Sequence, residues 1–80
     1  MVKVGRKIKL ARKTKRITQE DLANAIGVSD KSISAYESGR ISPPLKVLEK
    51  IANSTDHSLS YFLEENVETS IFAKLNEIVR

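Results

Sequence analysis

Two helix-start signals separated by a single glycine restrict this chain more than anything else in it. Thr18 stands three residues before Asp21 and just ahead of Leu22, Ala23 and Ile26. Its hydroxyl can cap a helix whose first turn carries Glu20 and Asp21 near the positive end of the dipole. Gly27 can take the left-handed backbone that ends such a helix, and Ser29, two residues on, is again a capping residue. Two short helices must therefore meet at a tight turn. Between Gln19 and Tyr36 the remaining residues fit that turn: Ala23 is small where the axes approach, Val28 fills the corner, and Ile33 anchors the second helix from beneath.

The flanking segments supply the helices that such a pair needs to pack on. Val4, Ile8 and Ala11 share one face of a first helix near Lys3 to Lys15, with basic residues around the rest. Ile33 and Tyr36 are the inward residues of the third helix, which ends at Gly39 and Arg40 before a Pro43-Pro44 loop. Pro44 suits the first turn of a fourth helix, where Leu45, Leu48, Ile51 and Ala52 face inward. Ser58 can cap a brief fifth helix that lays Leu59, Phe62 and Leu63 on the others. The expected fold is all-α, a five-helix domain over residues 1–65.

Residues 66–80 read as one more amphipathic helix, with Ile71, Leu75 and Ile78 spaced four and three apart and Phe72 and Val79 widening the stripe. An exposed stripe of this kind must fold back on its own domain or meet a partner. The expectation is a dimer interface at Ile71, Phe72, Leu75, Ile78 and Val79. The stretch is only about two heptads long, shorter than a coiled coil needs by itself.

Composition removes several function classes. Eighty residues allow one domain and one modest core, with no room for a separate catalytic domain. No cysteine is present and His57 is the only histidine, so no disulfide, thiolate site or zinc cluster can form, and neither a metal nor a cofactor is expected. His57 also lacks neighbours for a catalytic triad and reads as a surface residue. Tyr36, Tyr61, Phe62 and Phe72 are too scattered for a base-stacking platform and suit the core or an interface. No apolar run reaches the roughly 18 residues of a membrane span, and no signal peptide is visible, so the expected setting is cytoplasmic. Residues 1–50 carry 12 basic and 5 acidic side chains, whereas residues 51–80 carry 2 and 5. A basic amino-terminal part suits a polyanion, although a solvated helix face would look the same.

The runs Thr18-Gln19-Glu20-Asp21-Leu22-Ala23, Gly27-Val28-Ser29, Ile33-Ser34 and Glu37-Ser38-Gly39 decide between these readings. They resemble the Cro and phage-repressor (XRE) helix-turn-helix family, over roughly residues 4–63. The resemblance implies a lambda-repressor-like DNA-binding domain whose third helix enters the major groove. It implies that Gln19, at the start of the second helix, bonds a DNA phosphate. It places Ser29, Asp30, Lys31, Ser34 and Ala35 on the outward and leading positions of the third helix, against base edges or adjoining phosphates. There Lys31 can donate to guanine and the Ala35 methyl can meet a thymine methyl. Asp30 departs from the glutamine often found at its position; it either accepts from cytosine or only stabilises the helix start, and the second role is the better fit for a carboxylate near phosphates. Arg40 and Ser42 fall where the family grips the backbone, and Arg12 with Glu37 matches an ion pair that holds the third helix in place.

The function this implies is a sequence-specific double-stranded DNA-binding transcription regulator, a repressor acting as a homodimer on two half-sites, and not an enzyme. The alternative is an antitoxin or adaptor that also binds a protein partner, a toxin or co-regulator. The controller of a restriction-modification system is a third reading that the residues do not separate.

Overall fold

The helix boundaries follow from local hydrogen bonds that the punctuation residues provide. The structure is a computed structural model in which residues 4–63 are described. They form α1 (Val4–Lys15), α2 (Gln19–Ile26), α3 (Asp30–Ser38), α4 (Leu45–Ser54) and α5 (Leu59–Leu63), all helical as expected. The stretch 66–80, with its stripe from Ile71 to Val79, lies outside the described residues.

Thr18 makes a full capping box: its hydroxyl accepts from Asp21 N at 3.0 Å, and the Asp21 carboxylate accepts from Thr18 N at 3.0 Å. The bond from Thr18 N–H, with the Thr18 hydroxyl close by, holds the Asp21 carboxyl below its usual pKa. Gly27 ends α2 at φ 76°, and Ser29 then accepts from Ser32 N at 3.1 Å to start α3. α1 and α4 end differently. Arg16 and Asp56 take left-handed φ values of 63° and 57° without being glycine, a conformation that costs about 1–2 kcal/mol for an L-residue. A Lys15–Asp56 ion pair bridges these two ends and draws the Asp56 carboxyl down in pKa.

α1 packs on α3 and α5, and α2 packs on α3 and α4, around a core led by Ile8, Leu22, Ile33, Ile51 and Phe62, none of them exposed. Each such side chain contributes about 1.5–3 kcal/mol by leaving water. Four expectations need correction. Pro44 stands at the N-cap of α4, with φ −58° and ψ 153°, and not inside its first turn; its carbonyl accepts from Leu48 N at 2.9 Å. Leu45 is consequently the first helical residue and overhangs the core edge at 56% exposure, while Val47 packs inward. Leu63 is exposed because α5 ends there, beyond the reach of α1 and α4. His57 is half-buried, its ring 4.6 Å from that of Tyr61 and 6.0 Å from Phe62, with Nδ1 2.7 Å from the Thr55 carbonyl oxygen.

At Gly5, α1 lies directly against the backbone of α3. A methyl group there would lie 2.3 Å from the Tyr36 carbonyl oxygen and 2.6 Å from that of Glu37. Both are backbone atoms at the end of α3, so neither can swing aside. Gly5→Ala is therefore expected to destabilise the domain by about 1–3 kcal/mol through overpacking, despite alanine's higher helix propensity, and thermal unfolding measures it. For Asp21 the folded pKa lies below the unfolded value near 3.9, so its contribution is present above about pH 4 and fades as pH falls through the folded pKa. Asp21→Asn should flatten the acid limb of the stability–pH curve, as followed by urea unfolding between about pH 2 and 6.

Candidate nucleic-acid interface

A buried guanidinium fixes the geometry of this face. Arg12, on α1, is only 8% exposed. Its Nε donates to Glu37 Oε2 at 2.7 Å and its Nη2 to Glu37 Oε1 at 3.1 Å, a fork-to-fork pair between α1 and α3. Its Nη1 donates to the Ile17 carbonyl at 2.9 Å, in the turn between α1 and α2. Glu37 Oε1 accepts a further bond from Gln19 Nε2 at 3.1 Å. One cation thus ties together α1, the α1–α2 turn, the start of α2 and the end of α3.

Gln19 is half-buried and already committed to Glu37 through one amide hydrogen. Among the described residues its own backbone N–H and that of Glu20 find no acceptor, because Thr18 takes those of Asp21 and Leu22. The start of α2 consequently offers two outward N–H groups and a side chain held in one orientation. At the start of α3, Ser29, Asp30 and Lys31 are all exposed. Asp30 sits in the first turn, where a carboxylate complements the dipole.

The chain after α3 folds back over it. Arg40 N and Ile41 N donate to the Ala35 carbonyl at 3.0 and 3.3 Å, and the Ser38 hydroxyl donates to the same oxygen at 3.1 Å. This return brings Arg40 beside Lys31 and Ser34 around an open concavity of about 370 Å³, also lined by Ser32, Ala35 and Ile41. Of the residues expected at the interface, Lys31, Ser34 and Arg40 are thus brought together, and Gln19, Ser29 and Asp30 border the two helix starts. Ala35 differs from its expected outward position. It is 5% exposed because the returning loop covers it, so its methyl forms the floor of the concavity. Ser42 is exposed but lies on the other side of the loop, next to Pro43 and Leu45. Sequence reasoning missed Ser32, whose hydroxyl lies 3.0 Å from that of Ser29 at the third position of α3. The Ser29-x-x-Ser32 spacing, a variant of the capping box, was the available signal.

Two capped helix starts meeting at a tight turn, with a basic and hydroxyl-bearing surface beside the second, define a helix-turn-helix domain. The profile of the helix-turn-helix family matches residues 8–62, and the chain belongs to that family, in its Cro and phage-repressor branch. Members are DNA-binding transcription regulators and not enzymes. Among curated relatives, an uncharacterized HTH-type transcriptional regulator, YqaE of Bacillus subtilis, is 35% identical over 65 residues, 81% of this chain and 56% of that protein. The cryptic phage CTXphi transcriptional repressor RstR of Vibrio cholerae is 35% identical over 74 residues, 92% of this chain and 66% of that one. The chain therefore spans between about half and two thirds of these relatives' lengths. Among solved structures, the biofilm regulator SinR in complex with DNA superposes with a TM-score of 0.72 at 31% identity, covering 76% of this chain and 98% of that one. A second structure, the complex of SinR with SinI, gives a TM-score of 0.76 at 32% identity, over 92% of this chain and 75% of that one. No helix among the described residues is long and apolar enough to cross a membrane.

Removing one member of the buried pair leaves a charge without its partner. The two side chains are 10% and 4% exposed, so Arg12→Met should cost about 3–5 kcal/mol, whereas Arg12→Met with Glu37→Met should recover most of that loss. Urea denaturation of the three proteins gives both quantities. A double variant as unstable as the single one would show that packing around Arg12, and not the pair, carries the effect.

Proposed function

We propose that this chain binds duplex DNA sequence-specifically, with α3 in the major groove, and regulates transcription as a repressor. The observation that carries this reading is the grouping of Lys31, Ser34 and Arg40 around one open concavity beside the exposed start of α3. Lys31 and Ser34 project from α3 at the spacing of one helical turn and suit base edges, Lys31 as a donor to guanine O6 or N7. Gln19, Ser29 and Arg40 suit phosphates, which set register without reading sequence; Ser42, on the far side of the loop, stands apart from them. Asp30 serves the helix start. Ala35, as part of the floor, acts through the shape it gives the concavity. The DNA complex of SinR and the repressor name of RstR support the reading by similarity.

A helix of nine residues reaches only a few base pairs, so two copies on symmetric half-sites about 34–36 Å apart supply the missing specificity. A regulator of this kind works in the cytoplasm. A protein partner in addition to DNA is a second reading, favoured by the SinR–SinI complex.

Binding measured across salt concentrations on duplexes taken from an unbiased selection tests the proposal. Affinity should fall linearly on a logarithmic scale as salt rises. Arg40→Ala should lower that slope by about one and weaken every duplex alike, whereas Lys31→Ala should change which duplexes are preferred, by about 1–3 kcal/mol at one base position. No selected duplex, or a flat salt dependence, would remove the nucleic-acid reading. Equal losses on all duplexes for both variants would remove Lys31 as a base reader.

A further inference from the structure

The loop that carries Arg40 has a second, apolar side that DNA binding does not use. Val4, Ile41, Pro43, Leu45, Leu48 and Leu63 line an open groove of about 580 Å³ between the start of α1, the end of α3 and the start of α4. Ile41, Leu45 and Leu63 are 55%, 56% and 48% exposed, three of the four large apolar side chains left open among the described residues. Single exposed leucines need no explanation, but three around one groove form a contact surface.

We infer that this groove is covered by residues 66–80 of the same chain, with Ile71, Leu75 and Ile78 against Ile41, Leu45 and Leu63. The first argument is attachment. Leu63 is both the last described residue and part of the groove wall. Seven residues, 64–70, separate Leu63 from Ile71 and span at most about 25 Å, so the apolar stripe lies within reach of the groove. A tether this short holds the segment at an effective concentration of about millimolar or more, above that of a free second copy in dilute solution. The second argument is chemistry. The stripe supplies five large apolar side chains within nine residues, and a helix of 15 residues would be about 22 Å long.

Ile41 lines both the groove and the concavity that holds Lys31, Ser34 and Arg40. Covering the groove therefore fixes the loop on which Arg40 is mounted. The docking itself does not depend on the DNA reading. It gives the stripe a nearer apolar surface than the second subunit that the sequence pattern alone provides for.

Nuclear magnetic resonance on the full chain tests it, using a sample mixed from equal parts of isotope-labelled and unlabelled protein. Contacts from the Leu75 and Ile78 methyls to those of Ile41 and Leu45 should arise within a labelled copy and persist unchanged on dilution. Leu75→Asp with Ile78→Asp should shift the Ile41 and Leu45 methyl resonances and leave those of buried Ile8 and Ile51 in place. If the double variant fails to fold, the contacts in the unsubstituted chain still decide the matter. Contacts found only between labelled and unlabelled copies would overturn the inference in favour of a second subunit, and the absence of any contact between stripe and groove would overturn it outright.

Discussion

The Arg12–Glu37 pair is the joint on which the functional face hangs. A five-helix domain of this size can set helix angles by apolar packing alone, but apolar contacts are non-directional and tolerate small rotations. A bidentate guanidinium–carboxylate pair does not: two parallel bonds fix distance and plane together. Because the third bond of Arg12 goes to the Ile17 carbonyl, and Glu37 also holds Gln19, the same pair sets where α2 starts relative to the end of α3. Desolvating two charges makes the pair a poor source of net stability compared with well-packed apolar side chains. Its value here is orientation, since a recognition helix tilted by a few degrees would move Lys31 and Ser34 off the base edges they are placed to meet.

The next constraint lies at the other end of α3. Gly39 takes φ 85°, which lets the chain reverse, and the Ala35 carbonyl gathers the Arg40 and Ile41 amides and the Ser38 hydroxyl. Carbonyls in the last turn of a helix lack intrahelical partners, so the return of the loop is driven by bonds the helix would otherwise leave to water. A structural need of the helix end thereby delivers a cation, Arg40, to the side of the helix where Lys31 stands. Lys15 and Asp56 make a comparable arrangement where α1 and α4 end without glycine and an ion pair links them.

Much of this was legible in the sequence because it rests on short-range chemistry. The Thr18 and Ser29 caps, the Gly27 and Gly39 turns and the inward positions of Ile8, Leu22, Ile33, Ile51 and Phe62 each depend on residues within a few positions of one another. Most features that escaped depend on the path of the chain beyond the helix concerned. Ala35 lies at a helical position that faces outward on an isolated helix, and only the returning loop covers it. Leu45 fits the apolar period of α4, yet at the first position of the helix it stays 56% exposed on the rim of a groove. Gly5 looks like an indifferent helix residue until α3 arrives 2.3 Å from where its side chain would be. His57 is a local exception: Thr55, Tyr61 and Phe62, its partners, all lie within five residues, but the turn into α5 that brings the rings together leaves no periodic pattern. The site divides in the same way: the residues at the two helix starts follow from local pattern, whereas the meeting of Arg40 with Lys31 and Ser34, and the separation of Ser42 from them, follow from the path of the loop.

The same division explains how one scaffold can read different sequences. The residues that orient α3 are interior: Ile33 and Tyr36 pack in the core, and Glu37 is held by Arg12 and Gln19. Those that face outward on it, Asp30, Lys31 and Ser34, carry none of these contacts. Surface substitutions away from caps and buried networks usually change stability by less than about 0.5 kcal/mol, while a single base-reading side chain changes discrimination by about 1–3 kcal/mol. Positions 31 and 34 can therefore vary with large effect on which duplex is chosen and little effect on whether the domain folds. Ser29 and Ser32 stand apart from that freedom, since their hydroxyls form the start of α3 and any replacement there must first preserve the cap.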